Sequence, residues 1–307
     1  MVGLIFHADG AFFQWDTHRD MLRQISVFGI LACGMTLVII CGGIDLAVGS
    51  LLGLTAVLFS LFSIHWAWPA AVAILVCLIV GFLLGAASGG LIARFSIQPF
   101  IATLAMMVLG RGLAKLVSGG QKISTAVQLQ DGSYEYVEVP SILNTLGERV
   151  FDDNIAIVTL LLVGCILTLW AFLSFTRWGR YLYAIGGNEE AARLSGIPVA
   201  WMKTLSYALC GMFCALAGIC QAAQELQGDP EAGVGYELTA IAIVVIGGTS
   251  LRGGTGSIWL TMLGILTIGY LEKILSINAI GEETRLILSG LIIVFAVLVQ
   301  RRNPRFV

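Results

Sequence analysis

GGIDLAVGS (Gly42–Ser50) places an aspartate and three glycines, Gly42, Gly43 and Gly49, between two strongly apolar runs. ISVFGILACGMTLVIIC precedes it and LLGLTAVLFSLFSI follows it. Such a stretch reads differently in water and in lipid, so the class of the chain comes first. Of 307 residues, 58% are hydrophobic and only 12% are charged, against roughly 25% charged in soluble domains. A hydrocarbon core about 30 Å thick takes roughly 20 apolar residues per spanning helix. Runs of that kind cover 25–41, 46–64, 67–93, 98–117, 155–173, 204–223, 236–249, 257–271 and 286–300, several of them short enough to be broken or re-entrant. Lipid accepts only backbones that satisfy their own hydrogen bonds. The expected fold class is therefore an all-α integral membrane protein, a polytopic helical bundle forming one transmembrane domain over 1–307 with about nine segments.

All seven cysteines (Cys33, Cys41, Cys77, Cys165, Cys210, Cys214 and Cys220) fall in these apolar runs without a CxxC partner and read as small buried hydrophobes. His7, His18 and His65 are scattered without metal spacing, so no metal site is expected. His65 with Trp66 and Trp68 reads as an interfacial aromatic belt. With nine crossings the two ends lie on opposite sides. If RRNPRFV is cytoplasmic, the loops on that side hold Arg94, Arg177, Arg180, Arg193, Lys203, Arg252, Arg301, Arg302 and Arg305, against only Asp45, Glu189 and Glu190. Loop 174–203 is then cytoplasmic. The acidic segment 118–154 is extracytoplasmic, too polar to cross, and expected to form a small cap with extended pieces around Tyr134–Val139. Residues 1–24 start outside without a signal-peptide pattern, which fits either a further helix ahead of residue 1 or a genuinely short N-terminus.

The opening motif has an echo. Residues 42–49 read GGIDLAVG and residues 247–254 read GGTSLRGG, so both match GGxxLxxG, and each follows a β-branched apolar run. Glycine pairs let backbone leave helical geometry and approach neighbours closely. Paired Gly-interrupted segments in membrane transporters point to a substrate path, which makes Gly42, Gly43, Asp45, Gly49, Gly247, Gly248 and Gly254 candidates for lining one. Asp45 would cost roughly 3 kcal/mol at a lipid-facing bilayer centre, so it is expected to face a cavity, cap the next helix or lie at the interface. Elsewhere, GFLLGAASGG (81–90) reads as close helix packing, and Arg111, beside Gly110, is expected to snorkel outward. Thr36, Ser88, Gln98, Thr103, Gln221 and Gln224 are placed to bond either a ligand hydroxyl or a neighbouring helix.

A second kind of site lies between two spans. Asn188 is a good helix cap, Glu189 and Glu190 suit the positive N-terminal end, and Ala191, Ala192, Arg193 and Leu194 propagate helix. Ser195 and Gly196 close it and Pro198 prevents its continuation. The product is a short rigid helix flanked by Arg177, Arg180 and Lys203, the shape of a lever that docks into a partner's groove.

VFGILACGMTLVIICGGIDLAVGS (27–50), YAIGGNEEAARLSGIPV (183–199) and ELTAIAIVVIGGTSLRGGTGS (237–257) together resemble the permease subunit of bacterial ATP-binding cassette importers for monosaccharides, of the ribose, galactose and xylose type. The resemblance runs from about Phe12 to Val299 with the three motifs in order. It implies import of a pentose or hexose across the bacterial inner membrane, driven by ATP hydrolysis on a separate cassette ATPase subunit. The sugar would arrive on a periplasmic binding protein. It also implies a second permease subunit, identical or related, and usually one more N-terminal helix. The helix at Asn188, Glu189, Glu190, Ala191, Arg193, Ser195 and Gly196 resembles the family's coupling helix, which seats on the ATPase. ATP and Mg belong to that partner, with no cofactor expected in this chain; membrane lipid surrounds it and no nucleic acid is expected. SGGQ (Ser118–Gln121) resembles a cassette-ATPase signature, but the chain has no GxxxxGK[S/T] phosphate loop, so it reads as coincidence. No clustered nucleophile and base mark an enzyme. An ion-coupled secondary transporter or channel is the alternative, although it wants membrane-embedded carboxylates and only Asp45 qualifies.

Overall fold

The structure is a computed structural model that describes residues 7–128 and 133–281, with 283, 284, 287, 288, 290 and 291 beyond them. A 3-10 turn (Ala11–Phe13) leads into α1 (Trp15–Ile40), α2 (Val48–Ser60, extended by one π-turn, Leu61–His65), α3 (Ala70–Phe95) and α4 (Pro99–Ser118). Next come β1 (Ala126–Gln128), β2 (Tyr134–Tyr136), α5 (Ser141–Gly147), β3 (Arg149–Val150) and β4 (Ile155–Ala156). The chain then forms α6 (Ile157–Phe175), α7 (Arg177–Gly187), α8 (Glu189–Leu194), α9 (Val199–Glu225), α10 (Tyr236–Gly247) and α11 (Ile258–Ile277). Among the described residues, α1, α2 with its π-turn, α3, α4, α6, α9 and α11 are long and apolar enough to cross a membrane. The run expected at 286–300 lies almost wholly outside the described residues, as do Arg301, Arg302 and Arg305.

Two spans differ from the sequence expectation for physical reasons. α1 begins at Trp15, not near residue 25: Asp16 suits the positive first turn and Arg19 and Arg23 favour helix, while the polarity of Asp16, Arg19, Asp20 and Arg23 hides these turns from a hydropathy scan. The seventh run, 236–249, yields only the 12 residues of α10, about 18 Å of helix, far short of a bilayer core. Gly228–Gly235 completes that crossing as irregular backbone.

The bundle is built around α9, which packs on α3, α1 and α2. α1, α2 and α9 are the buried helices, while α3, α4, α6 and α11 keep much of their apolar surface outward, as helices facing lipid must. Lipid is as apolar as leucine, so helices adhere through close packing rather than through exclusion of water. α3 and α9 achieve this with small residues. A Cβ at Gly81 would strike the Gly211 carbonyl, one at Gly85 the Tyr207 carbonyl and one at Gly89 the Thr204 backbone. The expected packing role of 81–90 is borne out. All seven thiols are free and buried.

Candidate functional site

The two GGxxLxxG copies meet. Cys41–Ala47 joins α1 to α2, and Gly248–Ser257 joins α10 to α11. The Gly254 N–H donates to the Ile40 carbonyl at 2.9 Å, lashing the second motif to the end of α1. Gly42 (φ +83°) and Gly253 (φ +85°) both hold left-handed backbone, and a Cβ on Gly253 would lie 2.8 Å from Gly42 Cα and 3.0 Å from Gly186 Cα. Gly254 presses likewise on Gly187. Gly42, Gly186–Gly187 and Gly253–Gly254 therefore bring three backbones into direct contact, and a Cβ on Gly186, Gly253 or Gly254 would strike main chain. Tyr183, one turn before Gly186 on α7, donates its hydroxyl to the Gly256 carbonyl at 3.0 Å.

The other motif residues lie around this joint. Gly43 faces Tyr207, whose hydroxyl donates to the Ile44 carbonyl at 3.4 Å. Asp45 is 1% exposed and its Oδ1 accepts from the Ala47 N–H at 2.9 Å, starting α2. Its Oδ2 finds no nitrogen or oxygen donor among the described residues. Gly247 and Gly248 end α10 against Leu260 of α11. Gly49 is the second residue of α2, and a Cβ there would overlap the Gly233 carbonyl.

The short helix follows the joint without a gap. Gly187 ends α7, and Asn188 both ends that helix and caps α8, its Oδ1 accepting from the Ala191 N–H at 3.0 Å. The cap deduced from local chemistry is present. Arg193 reaches back to Glu189 (3.0 Å) and Glu190 (3.3 Å), and Lys203 at the start of α9 holds Glu189 at 2.5 Å. Ser195 Oγ donates to the Ala191 carbonyl at 2.9 Å, and Gly196 turns the chain toward Pro198. Leu194 is left 81% exposed at the tip. A groove of about 680 Å³ runs beside α8, lined among others by Ile92, Ser96, Glu189, Arg193, Trp201 and Lys203.

At the opposite end of the bundle lies a strap that hydropathy did not reveal. Gly228–Gly235 descends along α2, Gly228 against Ala56 and Val57, Ala232 against Gly53 and Gly233 against Gly49. Two of its carbonyls are satisfied from α4. Arg111 does not snorkel outward as expected; its Nη1 donates to the carbonyls of Pro230 and Ala232, the latter at 2.8 Å. Lys115 pairs with Glu231 at 2.5 Å and Lys122 with Asp229 at 3.0 Å. The hydrogen bond to Asp229 holds the Lys122 ammonium above its usual range. Ile123 and Gly228 exchange both backbone hydrogen bonds at 2.8 Å. The sequence signals were an arginine deep in an apolar run and the GDPEAGVG composition of 228–235. Only the fold joins them, because Arg111 binds carbonyls about 120 positions away.

Comparison with known proteins gives the same outline throughout. Residues 19–297 match the family described as the branched-chain amino acid transport system / permease component. The ribose import permease protein of Escherichia coli strain K12 is 39% identical over 306 residues, 99% of this chain and 91% of that one. The fructose import permease protein of Rhizobium meliloti is 35% identical, with 95% and 79% covered. The xylose transport system permease protein of Escherichia coli strain K12 is 32% identical, with 99% and 90% covered. No solved structure matches.

Proposed function

This chain belongs to the permease family of ATP-binding cassette sugar importers, multi-pass proteins of the bacterial cell membrane, and on that premise we propose what its geometry does. Paired with a second permease subunit, it forms the membrane path for a monosaccharide, a pentose or hexose, delivered by a periplasmic binding protein. It makes and breaks no covalent bond itself. The α7–α8 end is cytoplasmic, in keeping with Arg94, Arg177, Arg180 and Arg252 at that end, and α8 is the element that seats on a cassette ATPase.

The observation that carries this reading is the joint of Gly42, Gly186–Gly187 and Gly253–Gly254. α8 starts three residues past Gly186, so a push on α8 is delivered straight to the breaks between α1 and α2 and between α10 and α11. Backbone packed on backbone has no rotamer to absorb the motion. The breaks, with Asp45, Gly49, Gly247 and Gly248 beside them, are the parts that rearrange as the path switches between outward and inward access.

The test is reconstitution of this chain with its ATPase in liposomes, adding binding proteins loaded with ribose, fructose or xylose in turn. One loaded binding protein is expected to raise ATP hydrolysis and labelled-sugar uptake together. Uptake that survives ATP depletion but collapses with a protonophore would overturn the proposal in favour of an ion-coupled transporter.

A further inference from the structure

We propose a neutral-polyol site at the outer end of the bundle, in the cleft between α1 and α9, where an incoming sugar first rests inside the permease. The inference rests on the importer reading above and adds the residues that receive the ligand. The cleft holds about 210 Å³ and is lined by Asp20, Arg23, Gln24, Gln221, Gln224 and Glu225. That is below the roughly 300–1,000 Å³ of pockets for drug-sized ligands and suits something of single-sugar scale. Behind this polar lining, Phe28, one turn from Gln24, packs at a tilt on Tyr236 with ring centroids 4.3 Å apart. The Tyr236 hydroxyl meets the Gln221 amide, and Tyr236 is also the first residue of the half-length helix α10. The cleft therefore opens directly above the broken crossing.

The chemistry of the lining selects the ligand. Asp20 is already neutralised by Arg149 and by Lys273, the latter at 3.8 Å. Gln224 donates to the Arg23 carbonyl at 3.0 Å and Gln221 to Glu225 at 2.5 Å, which fixes both amides. The Arg23 guanidinium and the Gln24 amide make no side-chain hydrogen bond among the described residues. A fixed fork of donors beside amide and carboxylate acceptors matches adjacent hydroxyls, which both donate and accept. An anion would meet the Glu225 carboxylate beside Arg23. A metal ion is disfavoured by Arg23 and by the absence of any metal-holding cluster among the described residues.

The experiment is saturation-transfer NMR on the permease–ATPase complex in lipid nanodiscs without binding protein, using free ribose, fructose and xylose as probes. Transfer to ring C–H protons is expected for at least one of them. It should be about tenfold weaker in Arg23→Met and in Gln24→Leu, the effect of losing one or two hydrogen bonds to the ligand. Glu135→Gln on the distant hairpin should change nothing. ATP hydrolysis stimulated by loaded binding protein reports that each variant is folded and assembled. No transfer from any sugar in a wild-type complex that still shows that stimulation overturns the site while leaving the importer reading intact. Equal transfer in wild type and in both cleft variants also overturns it.

Discussion

The two ends of the bundle hold their irregular backbone in opposite ways. At the α7–α8 end, Gly42, Gly186 and Gly253 touch main chain to main chain, with hardly a side chain involved. At the other end, Gly228–Gly235 is held by the long side chains of Arg111, Lys115 and Lys122 and by one two-way bridge to Ile123. The first kind of contact has essentially one geometry and transmits displacement. The second is a set of separate bonds, each of which can be released. A transporter that must pass a push from one face and open at the other has use for both.

The largest effect is expected where the first kind of contact is filled. Gly186→Val would drive a side chain into the Ile40 carbonyl and the Gly254 N–H. The cost should be on the order of 3 kcal/mol or more, because backbone cannot step aside as a side chain can. Sugar-stimulated ATP hydrolysis should be lost, and thermal unfolding in detergent should show the destabilisation directly. Wild-type coupling in Gly186→Val would remove the joint from the mechanism. Gly187→Ala, with open space at its own Cβ position, should be nearly neutral and marks how local the effect is.

Arg111→Met should come next. It strips the carbonyls of Pro230 and Ala232 of their donor in a low-dielectric setting, at about 2–3 kcal/mol. Hydrogen exchange should rise over 228–235 and stay unchanged around 183–187. Arg111→Lys should recover only part, since an ammonium lacks the planar fork that serves two carbonyls together. An effect that spread evenly over both ends would erase the contrast between them.

Asp45→Ala removes the acceptor for the Ala47 N–H at the start of α2 and should cost about 1 kcal/mol, with Asp45→Asn closer to wild type. The smallest effect belongs to Glu189→Gln, which breaks the pairs to Lys203 and Arg193. Those side chains are partly exposed, so less than about 1 kcal/mol of stability is at stake, and it should fade further with added salt. If Glu189→Gln nevertheless abolished ATPase assembly, the charge would be serving the partner rather than the fold.

How much of this was legible beforehand depends on the range of the interaction. The capped helix at Asn188–Leu194 was readable because its signals are local: the asparagine, two glutamates and the closing glycine act within two turns. The spans were readable because lipid demands apolar length, but α1 lost its first turns to the polarity of Asp16–Arg23. The GGxxLxxG repeat was visible as a pattern, whereas its meeting with Gly186–Gly187 was not, because spacing does not say which backbone a glycine admits. Arg111 was misread for a related reason: its partners are carbonyls, and any residue can supply one. The broken crossing before α10 followed the same rule, since an irregular strand at membrane depth is stable only with donors brought from elsewhere in the fold.

The burial of all seven thiols has a practical consequence for watching this molecule work. A water-soluble maleimide finds none of them, so the natural chain is already a silent background for labelling. Cysteines introduced at Leu194, on the tip of α8, and at Tyr136, on the opposite hairpin, would be its reactive pair, both side chains being about four-fifths exposed. A fluorophore couple at those two positions would report the separation of the two faces in the free permease, and shielding of the one at Leu194 would report a partner docking on α8.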